Sequence, residues 1–539
     1  PVLNVYASRK STEPGWFYRV TEPFFRGLEN GYGRLLTHFL KFRWIAIVVL
    51  VICLGGSYYF FNAIPSELAP MEDRGQFRLL VSAPEGTSYD RMDKYVDKLS
   101  QLMMDSVPEH EVVLSVTSPG FTGSGAANTG FVRVILTEPS QRKSSQDQIV
   151  QRVSKSLSKI GEGRAFPIQE QTISVSRRSG LPVQFVIQNS NFEKLKSVLP
   201  TFLEEAAKSP KLINVDSDLK FNKPELKIEV DRLKASDLGV SVEDVAQTLQ
   251  LALSNRRFGY FTMNGRQYQV IGQVSRNFRD APSDLKTFYV RTKDGNSISL
   301  DNLVNISEGI NTPTIYHFNR YKSATISAGL APGFTLGEGI EEMKKIADKI
   351  LDNSYSTALS GTSRDFAESS GSVGFAFVLA LVLIFLVLAA QFESFVDPFI
   401  IMVTVPLAIF GALLSLWLTD QTINIFSQIG MIMLIGLVTK NGILIVDFSN
   451  QKRRKGESKL TSVIEGSKER LRPILMTTLA MALGASPLAF SFGSASSSRI
   501  PLGVVIMGGL LFALVLTLFV IPAMYTFLSS PKKKKDEEV

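Results

Sequence analysis

A single lysine lies inside a long apolar stretch of this sequence. Gln428 to Phe448 is apolar and long enough to cross a bilayer as a helix, at about 1.5 Å per residue. Lys440 lies roughly 12 Å along that helix from Phe448, so its side chain cannot easily carry the ammonium to the interface. A lysine at this depth costs about 2.5–3.5 kcal/mol. We therefore expect a functional intramembrane charge that is paired with a carboxylate.

The other apolar stretches of the chain provide no such carboxylate. Asp and Glu are absent from all five: Arg43–Phe61, Gly374–Ala390, Phe399–Leu418, Pro473–Ser491 and Pro501–Leu528. Asp447 lies about 10 Å further along the same helix, near the interface, and is a poor direct partner. The sequence thus predicts that the carboxylate lies outside this chain. The alternative is a lysine that faces a wet cavity or bonds to carbonyls.

Further polar residues accompany Lys440 within the apolar stretches. Asn441, Thr477 and Thr478 can form a hydrogen-bonded relay, and Arg470 lies at the edge of the next stretch. A lysine held against carboxylates can release and re-form an ion pair as they take up protons, which couples it to a proton gradient. Alternatively, the threonines bond their own backbone and Arg470 only anchors the helix at the interface.

Six apolar stretches and one large insert predict the fold class. We expect a polytopic α-helical membrane protein of six transmembrane helices with a large water-soluble α+β insert from Pro65 to Arg364. Clustered basic residues mark the cytoplasmic side, which places the insert outside and the 449–470 loop inside. These are Arg9, Lys10, Arg19, Arg26, Arg34, Lys41, Arg43, Lys452, Arg453, Arg454, Lys455, Lys459, Lys468, Arg470, Arg472 and Lys532–Lys535.

The insert alternates between strand and helix periodicity, which indicates repeated strand–helix–strand units. Residues 232–307 form a separate lobe whose helix opens with a capping box at Ser241–Asp244. The segment from Phe121 to Gly130 is rich in Gly and small residues and reads as a loop. It is either a binding loop or a plain connector.

Several classes of function find no support in the sequence. There is no Gly-Lys pair for an ATP-binding P-loop, and the three histidines and the single cysteine form no metal signature. We expect no enzyme activity, no cofactor and no metal site. Basic runs beside apolar stretches favour a membrane over nucleic acid. The chain begins at Pro1 without Met, which we interpret as a fragment or a processed half.

Four motifs resemble one transporter family. Gly436–Phe448 is similar to the tenth transmembrane helix of resistance-nodulation-division (RND) transporters of the hydrophobe/amphiphile efflux branch, and Arg470–Thr477 to the start of the eleventh. Ala389–Phe395 and the acidic segment Pro65–Arg74 also match. The resemblance covers nearly the whole chain and identifies it with the carboxy-terminal half of a transporter.

This resemblance implies a proton-driven efflux pump whose large periplasmic insert consists of ferredoxin-like βαβ subdomains. The family forms homotrimers in the inner membrane that work with a periplasmic adaptor and an outer-membrane channel. The implied segments are an interfacial helix (1–40), a transmembrane helix (41–64), porter subdomains (65–170; 171–220 with 310–365), a docking-like lobe (221–309), five transmembrane helices (370–528) and a cytoplasmic tail (529–539).

The resemblance also assigns residues. The counterpart of Lys440 contacts an aspartate pair on the fourth helix, which belongs to the missing amino-terminal half. Arg470 and Thr477 match proton-relay positions, beside Asn441. The loop from Gly120 to Gly130 matches the one that separates two drug pockets. The substrate-path residues are Gly120, Phe121, Thr122, Gly123 and Phe131.

One departure from the family leaves the substrate open. Ser115, Thr117 and Thr122 stand where multidrug members carry aromatic residues, so substrates can be more polar or lipid-like. A heavy-metal exporter of the same superfamily is an alternative that needs gathered soft ligands. A protein-translocation or receptor-like subunit on the same scaffold is another, although the docking-like lobe argues against it.

Overall fold

The computed structural model describes residues 16–119, 126–157, 160–169, 180–254, 256–312, 314–491 and 496–529, with side chains from residue 22 onward. The described residues form two compact units. One combines the membrane helices with the parts of the insert up to Asp218 and from His317. The other contains residues 83–88 and 219–316.

Two helices open the chain. α1 (Trp16–Lys41) is amphipathic, and it buries Tyr32, Leu36 and Leu40 on one face because they recur every fourth residue. The Tyr32 hydroxyl donates to the carbonyl of Leu518 at 2.6 Å. α2 (Trp44–Ala63) is apolar on all sides, as a membrane-spanning helix should be.

The first part of the insert is a split βαβ unit. Its elements are β1 (Gln76–Ser82), α3 (Tyr89–Ser106), β2 (His110–Thr117), β3 (Thr129–Leu136), α4 (Gln146–Leu157) and β4 (Arg164–Ile168). The sheet order is β2–β3–β1–β4, with antiparallel neighbours. Phe77, Leu79 and Val81 alternate inward on β1, and α3 has a buried stripe of its own. This is the ferredoxin-like arrangement.

A second βαβ unit begins after residue 179 and is interrupted. Its first elements are β5 (Val183–Gln188), α5 (Phe192–Lys208) and β6 (Leu212–Ser217). The interruption is the second compact unit. It consists of β7 (Lys223–Val230), α6 (Arg232–Asp237), α7 (Val242–Leu253), β8 (Arg256–Met263), β9 (Arg266–Gly272), β10 (Tyr289–Arg291), β11 (Ser297–Ser299) and β12 (Val304–Asn311).

The predicted capping box at the start of α7 is present in this second unit. The Ser241 hydroxyl accepts from the Asp244 backbone N–H, and Asp244 accepts in return from Ser241. The unit has its own small core around Val245, Leu300 and Leu303.

The interrupted unit is completed after the second compact unit. The remaining elements are β13 (Tyr316–Phe318), β14 (Tyr321–Leu330), α8 (Leu336–Ile350) and β15 (Ser356–Leu359). The order β6–β14–β5–β15 repeats the ferredoxin-like pattern, because β14 lies between β6 and β5. The sequence therefore folds one supersecondary unit twice.

The rest of the chain is helical. The elements are α9 (Gly361–Phe392), α10 (Val396–Met402), α11 (Thr404–Leu418), α12 (Ile425–Arg454), α13 (Lys459–Ala489) and α14 (Ser496–Leu528). With α2, and with α10 and α11 taken together, the described residues contain six helical segments long and apolar enough to span a membrane. α14 packs against α11, α12 and α13 and is largely buried.

Some helix bounds differ from those of the apolar stretches. The 449–470 segment is mostly helix, since α12 continues to Arg454 and α13 begins at Lys459, with the Ser458 hydroxyl as its cap. Hydrophobicity marks only the part of a helix that lies in lipid. The third span is broken at Val403, because Pro406 has no N–H to donate to Met402.

The acidic segment from Pro65 to Arg74 attaches the insert to the membrane helices. The Thr422 hydroxyl donates to Glu67 at 2.5 Å, and the Ser498 hydroxyl donates to the buried Glu72. Burial raises the pKa of Glu67, although the Thr422 bond opposes that shift. Asp73 pairs with the buried side chain of Arg142. Each carboxylate therefore has a specific partner.

The membrane helices approach closely at small residues. A Cβ on Gly503 would lie 2.2 Å from the backbone nitrogen of Ala489, and one on Gly509 would lie 2.2 Å from a Leu434 methyl. Such contacts drive helix association in lipid, where apolar surface alone gives little preference. α14 thus packs closely on the backbone of α13 at Gly503 and on a side chain of α12 at Gly509.

We expect Gly503→Val to destabilise the bundle by about 1–3 kcal/mol, because the added side chain meets backbone that cannot move aside. Thermal unfolding of the purified protein in detergent measures this. Gly484→Ala, on α13 with nothing within 4 Å of the added Cβ, is the matched control. Equal stability of the two variants would contradict the packing account.

Candidate functional site

Lys440 lies near the middle of α12, on the face that the described residues leave open. Ile429, Met433, Gly436 and Lys440 follow one another at spacings of four, three and four, and all four are exposed. The opposite face, which includes Gly430, Leu434, Val438, Asn441 and Ile445, is buried against the bundle. α12 therefore has one packed face and one open face.

The Lys440 ammonium has no hydrogen bond or ion pair within the described part of the chain. Asp447 lies seven residues further along α12 on the same face, and it instead accepts a hydrogen bond from the Gln451 side-chain amide at 2.8 Å. The location of the acidic partner of Lys440 therefore stays a prediction. Because an unpaired lysine in a membrane span costs free energy, we expect an acidic partner on the open face.

The neighbouring Asn441 fixes α12 to α13. Its amide nitrogen lies 3.1 Å from the Thr478 hydroxyl, whose distance to the Asn441 carbonyl oxygen is 3.3 Å. Both side chains are fully buried. The hydroxyl can therefore accept from one amide atom and donate to the other. Of the two adjacent threonines, Thr478 makes this interhelical contact.

Thr477 faces the same side of the helix pair as Lys440. α12 and α13 are consecutive spans joined by the short turn 455–458, so they run antiparallel. Asn441 and Thr478 face each other across this antiparallel pair, so the residue that precedes each of them points to the same side of the pair. These are Lys440, before Asn441, and Thr477, before Thr478. The Thr477 hydroxyl donates to its own helix, to the Pro473 carbonyl at 2.9 Å.

Arg470 lies two turns before Thr477 on this side. Its guanidinium carbon is 3.7 Å from the centroid of the Phe448 ring, a close cation–π contact. Its Nε is buried and has no hydrogen-bond partner among the described residues. Arg470 is thus held against an aromatic face and has a buried donor that no described acceptor uses.

The structure therefore brings the four membrane candidates to one helix pair. Lys440, Arg470 and Thr477 share its open side, and Asn441 forms its internal link. Asp447 lies on the same face of α12 as Lys440, seven residues later. The arrangement can present a cation and a hydroxyl to a partner helix and keep both in register.

The substrate-path residues belong to the insert. Gly120, Phe121, Thr122 and Gly123 lie outside the described residues. Phe131 is half-buried on β3, between Leu80 of β1 and Val116 of β2 in the sheet register. The Arg78 guanidinium carbon lies 5.9 Å from its ring centroid. Phe131 thus sits on the sheet beside a cation.

Sequence reasoning missed one cluster near this site. Arg472 of α13 pairs with Glu22 at 3.0 Å and Glu29 at 3.3 Å of α1, and its guanidinium carbon lies 4.8 Å from the Phe25 ring centroid. Glu22 and Glu29 are seven residues apart, so helical spacing places them on one face. That spacing does not reveal which helix the face meets.

Six helical segments long and apolar enough to span a membrane, together with the doubled βαβ insert, define the fold of a multi-pass membrane protein. The chain belongs to the AcrB/AcrD/AcrF family, whose profile matches residues 2–529. These transporters are RND proteins, so the predicted family and fold class are confirmed.

Curated relatives match this chain along almost all of its length. An uncharacterized transporter of Haemophilus influenzae is 29% identical over 541 residues, which cover 99% of this chain and 52% of the relative. Multidrug resistance protein MdtC of Proteus mirabilis is 30% identical over 94% of this chain and 49% of the relative. MdtC of Erwinia tasmaniensis is 29% identical with the same coverage. The chain spans about half the length of these relatives.

The interhelical bond at Thr478 gives a stability prediction. Thr478→Val removes the partner of the buried Asn441 and should lower the unfolding free energy by about 0.6–1.7 kcal/mol. Thr477→Val removes a bond within one helix and should change it by less than about 0.5 kcal/mol. Denaturant unfolding in detergent compares the two. A larger loss for Thr477→Val would contradict the assignment.

Proposed function

We propose that this chain is the carboxy-terminal half of a proton-driven RND pump that exports amphiphilic small molecules. The observation that carries the proposal is Lys440, placed in the middle of a membrane helix on the face that the described residues leave open. A charge held there by a partner outside the chain is suited to ion-coupled work.

The coupling step depends on the open side of α12 and α13. When the partner carboxylates are ionised, the Lys440 ammonium pairs with them, and when they take up protons that pair is released. Arg470 and Thr477 lie on the same side and can rearrange with it. The Asn441–Thr478 bond keeps the two helices in register, so that they move as one body.

The partners follow from the length of the chain and from its family. The amino-terminal half would supply an intramembrane aspartate pair for Lys440. The complete protein would assemble as a homotrimer in the inner membrane and work with a periplasmic adaptor and an outer-membrane channel. Membership of the AcrB/AcrD/AcrF family supports this arrangement.

The insert would carry the substrate. The two ferredoxin-like units would be the porter subdomains, facing the periplasm, and residues 219–316 would form the docking-like lobe. Phe131, with the loop of Gly120, Phe121, Thr122 and Gly123, would line the substrate path. The name of the MdtC relatives, multidrug resistance proteins, supports small organic substrates.

We expect Lys440→Ala in the complete transporter to abolish efflux driven by a pH gradient, because the partner carboxylates lose their counter-charge. The measurement is export of an amphiphilic dye from proteoliposomes with an imposed gradient, with dissipation of the gradient recorded in parallel. Efflux should fall to the level of protein-free liposomes, while size-exclusion chromatography shows unchanged assembly.

Arg454→Gln is the matched control, because it removes an exposed cation from the polar end of the same helix. It should keep full efflux. Undiminished efflux in Lys440→Ala would remove Lys440 from the mechanism. Reconstitution of the half-chain alone gives a second check, and uphill transport by it would contradict the need for an external carboxylate.

A further inference from the structure

An open groove of about 680 Å³ lies between α1 and α13, away from the Lys440 site. Its polar lining from α1 includes Asn30, Arg34, Thr37, His38 and Lys41. These residues follow one another at spacings of four, three, one and three and therefore form one face of the helix. α13 contributes Lys468, whose side chain packs 3.5 Å from the Cβ position of Gly33.

The groove carries an excess of positive charge. Arg34, Lys41 and Lys468 have no ion pair with a carboxylate in the described part of the chain, and Glu465 is the one acidic residue of the lining. Neighbouring cations are neutralised, since Lys452 pairs with Glu469 and Arg472 with Glu22. The groove therefore offers at least two uncompensated cations to an anion.

An exposed apolar stripe runs beside this polar face of α1. Phe24, Leu28 and Leu35 lie on it, and their large side chains are 67%, 37% and 63% exposed. Phe42, at the end of α1, continues the same helical line and is also exposed. The third face of α1, with Tyr32, Leu36 and Leu40, packs on the bundle. The helix thus presents a basic strip and an apolar strip side by side.

The groove lies at the end of the bundle where α1 joins α2 and where α14 ends. α1 turns there into α2, and the Arg43 guanidinium carbon lies 4.8 Å from the ring centroid of Phe527 near the end of α14. The Lys459 ammonium, at the start of α13, donates to the Ser529 carbonyl at 2.7 Å. The exposed aromatic residues Phe42 and Trp44 occupy the position typical of the membrane interface.

We propose that this groove binds the headgroup of an anionic glycerophospholipid. Arg34, Lys41 and Lys468 would hold the phosphodiester through charge-assisted hydrogen bonds, and Asn30 and Thr37 would bond headgroup hydroxyls. The acyl chains would lie along the stripe of Leu28, Leu35 and Phe42. The adjoining apolar stripe favours a lipid over a free phosphate, which has no apolar part to bury.

Native mass spectrometry of the complete, delipidated protein tests this proposal. The probes are dioleoyl phosphatidylglycerol and, as the neutral reference, dioleoyl phosphatidylcholine. The groove variant is Arg34→Gln with Lys468→Gln. It should bind phosphatidylglycerol about 25-fold more weakly than the parent, as expected for the loss of two interfacial cations. Phosphatidylcholine binding should not change.

A charge-matched control removes two exposed cations from the same end of the bundle, outside the groove: Arg454→Gln with Lys455→Gln. It should bind phosphatidylglycerol within about twofold of the parent. An equal loss in both variants would mean general surface attraction and would overturn the site. Inorganic phosphate is added at the same total negative charge as the phosphatidylglycerol. If it displaces the lipid, the groove is a free-anion site, and the proposal is also overturned.

If the double variant does not fold, single substitutions keep the test decisive. Lys468→Arg retains the charge and should retain binding, whereas Lys468→Gln should lose about fivefold. Equal binding by these two would contradict the proposal. The measurement requires no transport, so its outcome is independent of the proposed pump function.

Discussion

The cost of placing one ammonium group in a membrane span is the constraint on which this structure depends. Lys440 lies in the middle of α12, and its side of the helix is the side that no described residue covers. The other apolar stretches of the chain contain no Asp or Glu to receive it. A bilayer does not tolerate that arrangement without compensation. We therefore propose that the open face of α12 is half of an interface whose acidic half lies outside the described residues; the chain spans about half the length of its relatives, which supports this proposal.

Such an interface can transmit a change only if the helices behind it are held firmly. The structure provides two kinds of support. Asn441 and Thr478 join α12 to α13 through a buried hydrogen bond, and α14 approaches both helices at Gly503 and Gly509 with no room for a side chain. In lipid, close backbone packing and buried polar contacts replace the hydrophobic effect as the source of helix association. The side of α12 and α13 opposite to the open one is therefore tightly packed within the bundle.

The sequence predicted most of the fold because its signals are local. Apolar length indicates the spans, and alternating periodicities indicate the two βαβ units. The depth of Lys440 in its apolar stretch and the absence of Asp and Glu from the other apolar stretches were equally evident from the sequence. Contacts between helices could not be predicted, because spacing tells which residues share a face but not which helix that face meets. Arg472 with Glu22, Arg470 on Phe448, and the choice of Thr478 over Thr477 all depend on helix rotation and packing. The helical continuation of 449–470 was also hidden, because polar sequence gives no membrane signal.

The central claim is that Lys440 pairs with a carboxylate from outside this chain, and the most direct test is a cryo-electron microscopy structure of the complete transporter in lipid nanodiscs. The account predicts the Lys440 ammonium within about 4 Å of an aspartate or glutamate contributed by another part of the protein. It also predicts that this carboxylate faces the side of α12 that carries Ile429, Met433 and Gly436. A Lys440 side chain that faces lipid or water, or that pairs with Asp447 on its own helix, would contradict it.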